Sequence, residues 1–365
     1  PDSGCGSWLF EPQSTNLLTY SEDFSQWTSE NATTVINNVI SPNGLQVGAK
    51  LTPSTSIQRQ AIKLNSSLSG DLVQSIFAKK GEYDVIQITD AVNGANFVNF
   101  DLTNGVVGSS SVMVGEIEYY GNGWYRCISK YSTASVIGSI RISITPNATD
   151  GRLVNFSGNG TDGLYIYGAM LEQNSFSTSY IPTEGSTVTR NQDLCNNGGS
   201  LASINSTEGT LYVEAKVKTD TIFAANCIAV SDGTDANRLS IIMYGNINAI
   251  RASMNVGGVT QFDFNLPSGY IQEQYYKIAV SYKVNDCKIF INGTKISTDT
   301  SATMPLLGTF DRLNFDLGQG LYDFYGNTKA LAVWKEALSD QELADLTYPT
   351  PTFPTFTLDF NTIAE

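Results

Sequence analysis

The chain has 365 residues, a formal net charge of −14 and no histidine. This length exceeds what one hydrophobic core normally supports, and it predicts two domains. The charge excludes the basic face of a nucleic-acid-binding protein, and the lack of imidazole excludes Ser-His-Asp and Cys-His nucleophilic sites and His-ligated metals in their usual form.

Runs in which apolar and polar residues alternate extend over most of the chain, and this period of two is typical of half-buried strands. Turn-forming pairs separate the runs, and the clearest hairpin is 288–297, which turns at Asn292-Gly293. The sequence therefore predicts an all-β fold: two antiparallel β-sandwich (jelly-roll) domains in tandem, with one short C-terminal helix. The runs are 72–78, 83–89, 112–119, 124–130, 140–145, 163–171, 210–218, 239–244, 275–282, 287–292 and 329–334.

The predicted helix begins at a capping box, in which Ser339 precedes Glu342 by three positions. Leu343, Ala344 and Leu346 follow on one face. We expect this short helix to pack across one edge of a sandwich.

The predicted domains are 1–182, a jelly-roll module, and 199–348, a second sandwich. The linker between them, 183–198, is polar, rich in turn residues and without a periodic pattern. The remaining residues, 349–365, contain closely spaced prolines and predict an extended tail.

The five cysteines are Cys5, Cys127, Cys195, Cys227 and Cys287. An odd number cannot pair completely within one chain, and none has metal-ligand spacing. We expect most of them to be free and buried, and a Cys227–Cys287 disulfide stays open as an alternative.

Several motifs in the first 190 residues resemble a signature of bacteriophage tail and head-fibre proteins. They are 9–24 with Trp27, 123–126, 167–172, 178–183 and Thr189-Arg190. The resemblance implies a fold similar to jelly-roll carbohydrate-binding modules. Members usually have a strand before the Glu-Pro-Gln motif, whereas this chain opens at Pro1, so we expect a fragment or a processed product.

Residues 200–348 resemble concanavalin-like and laminin-G-like domains. The features that carry this resemblance are 210–218, 276–294 with its Asn-Gly turn, 325–334 and 337–342. The resemblance implies a sandwich fold, and its ligand would depend on the loops.

Glycoside hydrolysis is the enzymatic alternative, because concanavalin-like folds host it. It needs two carboxylates about 5–10 Å apart. Glu116 and Glu118 are the only close acidic pair on a predicted strand, and we interpret them as a solvated face. We therefore expect a protein that is not an enzyme, with a polysaccharide hydrolase or lyase as an alternative.

The candidate carbohydrate-binding residues are aromatic or acidic side chains at strand ends and loops, where a ring face can stack on a sugar: Tyr244, Tyr322, Asp323 and Phe324. The candidate metal ligands are oxygen-bearing side chains on loops, which a hard cation prefers: Asp232, Asp235, Asn237 and Asp162. No cofactor is indicated beyond a structural Ca²⁺ at these positions. The alternative for Asp232–Asn237 is an Asp-Gly turn with side-chain caps.

The predicted function is a structural and recognition component of a phage virion appendage, exposed on the virion surface. The expected partners are other virion proteins and host surface glycans, without nucleic acid or membrane insertion. We expect a homodimer or homotrimer, since a narrow fibre binds avidly only as an oligomer. The alternative is a secreted bacterial adhesin or glycan-binding module.

Overall fold

The structure is a computed structural model that describes residues 6–90, 96–218, 225–247, 249–266, 269–271 and 273–349. The chain divides into two compact units. The insert unit is Glu11–Asp193. The lectin-like unit, as we name it for the fold described below, comprises the described residues from Leu194 onward together with those up to Phe10. The predicted tail beyond residue 349 lies outside the described residues.

The insert unit contains twelve described strands and one short 3₁₀ helix, Phe24–Gln26. All strand ladders in this unit are antiparallel, as its alternating sequence predicts. The strands are β2 (Ser14–Asn16), β3 (Thr28–Glu30), β4 (Ala32–Val39), β5 (Gly48–Pro53), β6 (Gln60–Lys79), β7 (Val85–Asp90), β8 (Phe97–Asp101), β9 (Val106–Ser111), β10 (Val114–Tyr119), β11 (Trp124–Ile144), β12 (Leu164–Glu172) and β13 (Val188–Arg190).

The long strands β6 and β11 form the centre of this unit and pair with each other. The main sheet runs in the order β4-β5-β12-β6-β11-β7-β8-β9, with β10 added to β11 and β3 to β6, while β2 pairs with β13. Alternate residues of β6, such as Leu72, Ile76 and Ala78, enter the main core. Phe77 points to the opposite face and packs with Trp124 in a smaller aromatic cluster.

Glu30, at the end of β3, is the centre of an ion-pair network on the insert unit. Its carboxylate accepts from Arg141 Nε at 2.8 Å and lies 3.2 Å from both Lys63 Nζ and Arg59 Nε. Burial favours the neutral acid, but these three cations outweigh it and hold the pKa of the Glu30 carboxyl below its ordinary value. The network joins β3, β6 and β11.

The residues that resemble the phage signature are mostly buried and hydrogen-bonded. Glu172 is fully buried and accepts from Ser14 Oγ at 2.7 Å and from Thr178 Oγ1 at 2.6 Å. Arg126, which is also buried, donates to the carbonyl of Thr178 at 2.7 Å and to Ser75 Oγ at 3.0 Å. These motifs therefore hold the segments around β2 and β12 together, which is a structural role.

The two ends of the insert unit meet in a terminal clasp formed by Glu11, Arg190 and Asp193. The Glu11 amide donates to Asp193 Oδ2, and the Asp193 amide donates to the Glu11 carbonyl, both at 2.9 Å. Arg190 pairs with both carboxylates, at 3.1 Å and 3.3 Å. The range predicted as a linker, 183–198, thus includes a strand, β13, and part of this clasp.

The lectin-like unit contains eleven described strands and one helix, α1 (Asp340–Thr347). The strand bounds are β1 (Trp8–Phe10), β14 (Glu208–Val217), β15 (Ala225–Ser231), β16 (Arg238–Tyr244), β17 (Ile250–Val256), β18 (Val259–Leu266), β19 (Tyr276–Lys283), β20 (Cys287–Ile291), β21 (Thr294–Asp299), β22 (Arg312–Asn314) and β23 (Gly326–Trp334).

Two antiparallel sheets enclose the core of this unit. One sheet has six strands in the order β1-β23-β14-β19-β20-β21, and the other has five in the order β18-β17-β16-β15-β22. Alternate residues from both sheets, such as Val213, Ile278, Ile241 and Met254, form one continuous apolar cluster. The all-β sandwich fold class is confirmed. The strand β1, although N-terminal, belongs to the six-stranded sheet through its pairing with β23.

The predicted capping box and hairpin are both confirmed. Ser339 is the N-cap of α1, and its own amide donates to Glu342 Oε2 at 2.8 Å. Leu343 is fully buried against Tyr212 and Phe290 on the outer side of the six-stranded sheet. In the β20–β21 hairpin both turn residues have positive φ, 48° at Asn292 and 81° at Gly293, as a type I′ turn requires.

The four described cysteines, Cys127, Cys195, Cys227 and Cys287, are free thiols. Cys287 lies in the core between the two sheets, whereas Cys227 packs in a separate apolar cluster with Ile242 and Leu317. Because the two thiols are free and packed in different clusters, the alternative of a disulfide between them is wrong. Among the described residues, no helix combines the length and the apolar character that crossing a membrane requires.

Candidate functional site

The side of the five-stranded sheet that points away from the core carries several polar side chains. Along β16, Leu239, Ile241 and Met243 enter the core, so the intervening residues point to the other side of the sheet. The same alternation on β17 and β18 directs Arg251 and Asp263 to that side. We name this surface the β16–β17 face; it comprises Arg238, Tyr244, Arg251, Asn255 and Asp263.

A two-point ion pair lies at the centre of the β16–β17 face. Arg251 Nε donates to Asp263 Oδ1 at 2.6 Å, and Arg251 Nη2 donates to Asp263 Oδ2 at 2.8 Å. About a third of each side chain is exposed, at 35% and 40%. The Tyr244 hydroxyl lies within hydrogen-bonding reach of Arg251. The hydrogen bonds of Asp263 raise the pKa of the Arg251 guanidinium further above neutral, so it is always charged.

Arg238 is a more deeply placed cation on the same face. Only 12% of its side chain is exposed, it pairs with Asp235, and its buried Nε has no hydrogen-bond partner among the described residues. Burial lowers the pKa of this guanidinium, although an arginine stays protonated at any physiological pH. Below it, Ser240 and Ser253 are buried and their hydroxyls are 3.2 Å apart.

A loop between β22 and β23 closes one end of the β16–β17 face. Leu317 packs on Cys227 and Ile242 in a small apolar cluster, with Tyr244 at its margin. Asp316 is almost fully buried and accepts from the Gly318 amide, which fixes the loop. Burial in this cluster raises the pKa of the Cys227 thiol, so the group is a packed apolar side chain and not a nucleophile.

The structure brings three of the four predicted sugar-binding residues to this neighbourhood. Tyr244 is half-buried at the end of β16. The carbonyl of Tyr322 accepts a hydrogen bond from the Cys227 amide on β15, and Asp323 is the next residue in the chain. Tyr322 is 57% exposed. Asp323 accepts from the Tyr325 hydroxyl at 3.3 Å.

Phe324 is a correction to the sequence analysis. It is 1% exposed and packs edge-on against Phe10 and Phe315 in the core. Tyr322 has a φ of 59°, and this left-handed turn breaks the alternation of the loop, so that Tyr322 points outward and Phe324 inward. A ring in this position cannot stack on a sugar.

The predicted metal ligands lie on loops where their oxygens already have partners. Asp232 accepts from the Thr234 amide at 2.9 Å and from Asn237 Nδ2 at 2.8 Å, and Asp235 pairs with Arg238. The Asn237 Oδ1 atom accepts from the Gly257 amide at 2.8 Å. These contacts are those of the Asx-capped turn that we gave as the alternative.

Asp162, on the insert unit, accepts from Asn159 Nδ2 at 2.7 Å in a turn of its own. In the ranges that the structure describes, no three Asp, Glu, Cys or His side chains converge as a metal site would require. A calcium ion therefore stays a prediction from the sequence, with no group of converging carboxylates among these ranges to hold it.

The sequence analysis singles out Tyr244 on this face but not Arg238, Arg251, Asn255 or Asp263. The sequence analysis predicts no strand at 250–256, where the structure has β17 and where Ile250, Ala252 and Met254 alternate with polar residues. The strand register places Arg251 directly opposite Ile242, next to Tyr244. This alternation is the sequence signal that puts Arg251 on the same side of the sheet as Tyr244.

The β16–β17 face offers the chemistry that recognises a polyhydroxylated ligand. Arg251 donates from Nε and Nη2 to Asp263, which leaves the other Nη hydrogens of the guanidinium and the remaining lone pairs of the carboxylate for a ligand, and the Tyr244 ring offers an apolar surface beside them. Because Asp263 holds Arg251 in place, little side-chain entropy remains to be lost on binding.

A family comparison covers this unit. Residues 189–344 match the laminin-G family model described as "Concanavalin A-like lectin/glucanases superfamily". This part of the chain is similar to laminin-G domains. The β16–β17 face and the Tyr322 loop both lie within the laminin-G-like match, and α1 begins within it. No curated protein matches the chain.

Solved structures to which this chain is similar include the CBM40 module of the Ruminococcus gnavus IT-sialidase bound to α2,3-sialyllactose. The match is 19% identical, covers 39% of this chain and 83% of that chain, and has a TM-score of 0.33. The SAP-like pentraxin from Limulus polyphemus is 13% identical over 41% of this chain and 72% of its own, with a TM-score of 0.32. Domains LG4-5 of the mouse laminin α1 chain are 9% identical over 78% and 90%, with a TM-score of 0.28.

Proposed function

We propose that this protein binds glycans and that the lectin-like unit holds the sugar on its β16–β17 face. The observation that carries this proposal is the Tyr244–Arg251–Asp263 group. It combines the Nη hydrogens of Arg251 that Asp263 does not use, a carboxylate acceptor and an aromatic surface on a rigid sheet, and all three side chains are at least partly exposed. Sites built on strands hold such groups more rigidly than loops do.

The test is glycan-array screening of the full chain, followed by calorimetric titration of the sugars that bind. We expect Arg251→Met to weaken binding about 10-fold or more, because it removes a charge-assisted donor while keeping much of the apolar stem. The matched control is Arg312→Met, since Arg312, at the start of β22, makes a similar two-point contact with its chain neighbour Asp311. Equal affinities for wild type and Arg251→Met would contradict the proposal.

We further propose that the protein recognises its ligand without cleaving it. The close acidic pair of the sequence analysis, Glu116 and Glu118, lies on β10 of the insert unit. Glu116 forms an ion pair with Lys130, and Glu118 lies opposite Arg126 in the strand register. Incubation with a polysaccharide panel should release no new reducing ends and no unsaturated sugars; release of either would favour the hydrolase or lyase alternative.

The finer proposal is that this protein is a component of a phage head or tail fibre, exposed on the virion surface, as a homodimer or homotrimer. It is supported by the signature-like motifs of the insert unit, whose residues form the buried contacts of Glu172 and Arg126. Mass spectrometry of purified particles should detect the chain, and mass photometry should give two or three times 39.5 kDa. Secretion by a bacterium without any particle would favour the adhesin alternative.

A further inference from the structure

A hollow with an acidic wall lies within the insert unit. It encloses 630 Å³, which is within the range of about 300–1,000 Å³ that small-molecule sites occupy. Three acids line it, Glu22, Asp23 and Glu184, and none of the described residues in its wall is a lysine or an arginine. We name this hollow the Glu22 pocket. Its walls come from the segment before the 3₁₀ helix, from β4 and from the segment that leads into β13.

The Glu22 carboxylate is held in place by two tyrosines. Its Oε1 atom accepts from the Tyr167 hydroxyl at 2.9 Å and lies 3.0 Å from the Tyr180 hydroxyl. Asn43 Nδ2 donates to the Tyr167 hydroxyl at 2.9 Å, so that hydroxyl uses its own proton on Glu22. Burial, and then the charge of Glu22, raise the pKa of Tyr167, so its hydroxyl stays a donor. These contacts all use Oε1, and Oε2 makes no hydrogen bond with any described residue.

Three other polar groups in the wall of the Glu22 pocket also lack partners. The Glu184 carboxylate is exposed and forms no ion pair with a described residue, and the exposed side-chain amide of Asn37 makes no hydrogen bond with one. Thr183 is 7% exposed, and its Oγ1 atom has no hydrogen-bond partner within the part of the chain that the structure describes. A buried hydroxyl without a partner is uncommon in a folded protein, and a ligand oxygen can supply one.

An apolar surface lies beside these polar groups. Tyr20 and Glu184 form an antiparallel bridge, and residues directly opposite each other in such a bridge project to the same side. The aliphatic part of the wall includes Val47 with Ile36 and Val188, which are 41% and 39% exposed. The Glu22 pocket therefore combines a ring and aliphatic side chains with carboxylates that have no counterion.

We propose that the Glu22 pocket binds an amino sugar whose amine is free and protonated, such as a glucosamine unit. The ammonium contacts the free oxygen of Glu22, the Glu184 carboxylate adds to the attraction, and the apolar face of the sugar ring lies on Tyr20. Asn37 and Thr183 pair with hydroxyls of the sugar. A neutral sugar would leave the carboxylates without a counterion, and an acidic sugar would be repelled by them. This site does not depend on the proposed function of the β16–β17 face.

The experiment titrates the full chain by calorimetry with a tetramer of glucosamine and with the same tetramer fully N-acetylated. At pH 6 the carboxylates are ionised and the amines are protonated. We expect the free-amine tetramer to bind, with an affinity that falls as salt is raised. The N-acetylated tetramer should bind about 10-fold more weakly or less still, because acetylation removes the charge and keeps the ring.

Glu184→Gln removes one carboxylate of the Glu22 pocket and keeps the size of the side chain. It should weaken binding of the free-amine tetramer about 10- to 100-fold, the range of one charged hydrogen bond. Because the Glu184 side chain is exposed, the variant should unfold at the wild-type temperature. Asp71→Asn is the matched control, since Asp71 is an exposed acid of the same unit that does not line the pocket, and it should bind as wild type does.

Four results would overturn the proposal. They are no binding of the free-amine tetramer, equal binding of the N-acetylated tetramer, wild-type affinity in Glu184→Gln, and binding of Nα-acetyl-lysine amide as tight as that of the tetramer. The last result would assign the Glu22 pocket to a lysine side chain of a protein partner. Loss of binding in Arg251→Met with retention in Glu184→Gln would place the amino sugar on the β16–β17 face instead.

Discussion

Replacing Glu30 by glutamine should destabilise the insert unit at neutral pH and do so less at acid pH. The substitution keeps the size of the side chain and removes the charge that Arg141, Lys63 and Arg59 share. Only 9% of the Glu30 side chain and 12% of the Arg141 side chain are exposed, so this pair is the one that matters most. The other two partners are 28% and 45% exposed and are largely screened by water.

The size of the stability loss expected for Glu30→Gln follows from that difference in exposure. Breaking a buried ion pair costs about 3–5 kcal/mol because the remaining charge loses its compensation. The Glu30 network is partly hydrated, so we expect about 2–3 kcal/mol, which is about 4–12 °C in the unfolding temperature of a unit of this size.

The pH dependence gives a second, independent check. Because the folded pKa of Glu30 lies below its ordinary value of 4.5, the stabilisation is fully present above pH 4.5 and is lost as the pH falls through the lowered folded pKa. The wild type and Glu30→Gln should therefore converge in acid.

The assay is denaturant unfolding of the full chain at pH 7 and at successively lower pH, with amide hydrogen exchange of peptides from each unit to assign the effect. Glu184→Gln is the matched control, since Glu184 is an exposed acid of the same unit. Equal stability of wild type and Glu30→Gln at pH 7 would refute the reasoning. So would a difference that persists unchanged when the carboxylate is protonated.

Three further predictions concern the caps, the core and the thiols. Ser339→Ala should lower the stability of α1 by about 1 kcal/mol because it removes the N-cap, and faster amide hydrogen exchange in 340–347 would report this loss. Trp124→Phe should lower the free energy of unfolding by about 1–3 kcal/mol, because the Ile40 carbonyl loses the indole N–H that donates to it at 3.0 Å. Denaturant unfolding measures this change. Iodoacetamide at pH 8 should leave Cys287 unmodified in the native protein, since burial raises the pKa of its thiol to about 11. Of the four cysteines that the structure describes, mass spectrometry should find the half-buried Cys195 alkylated first.

Features that depend on neighbouring residues were predictable from the sequence. The capping box at Ser339 and the Asn292-Gly293 turn are both satisfied within a few residues, so their local signals decide the structure. The alternating runs likewise determine which residues enter a sheet core, and they predicted the all-β fold class correctly.

Features that depend on distant residues were not predictable. Glu172 and Ser14 are 158 positions apart, and nothing near either residue indicates their hydrogen bond. The candidate site shows the same limit: Arg251 and Asp263 form one group only through the register of β17 and β18. The error at Phe324 has a local cause, the left-handed backbone of Tyr322, which a residue other than glycine rarely adopts.

The pairing of β1 with β23 has a mechanical consequence. The strand β1 precedes the insert unit in the chain yet hydrogen-bonds to the unit that follows it, through Trp8–Phe10. Tension applied between positions 6 and 349 would therefore pass through the six-stranded sheet, and the insert unit would bear no load while those three residue pairs hold. Once β1 peels away, the force would reach Glu11 and Asp193 and pull directly on the terminal clasp, so the chain should yield in two separate steps under load.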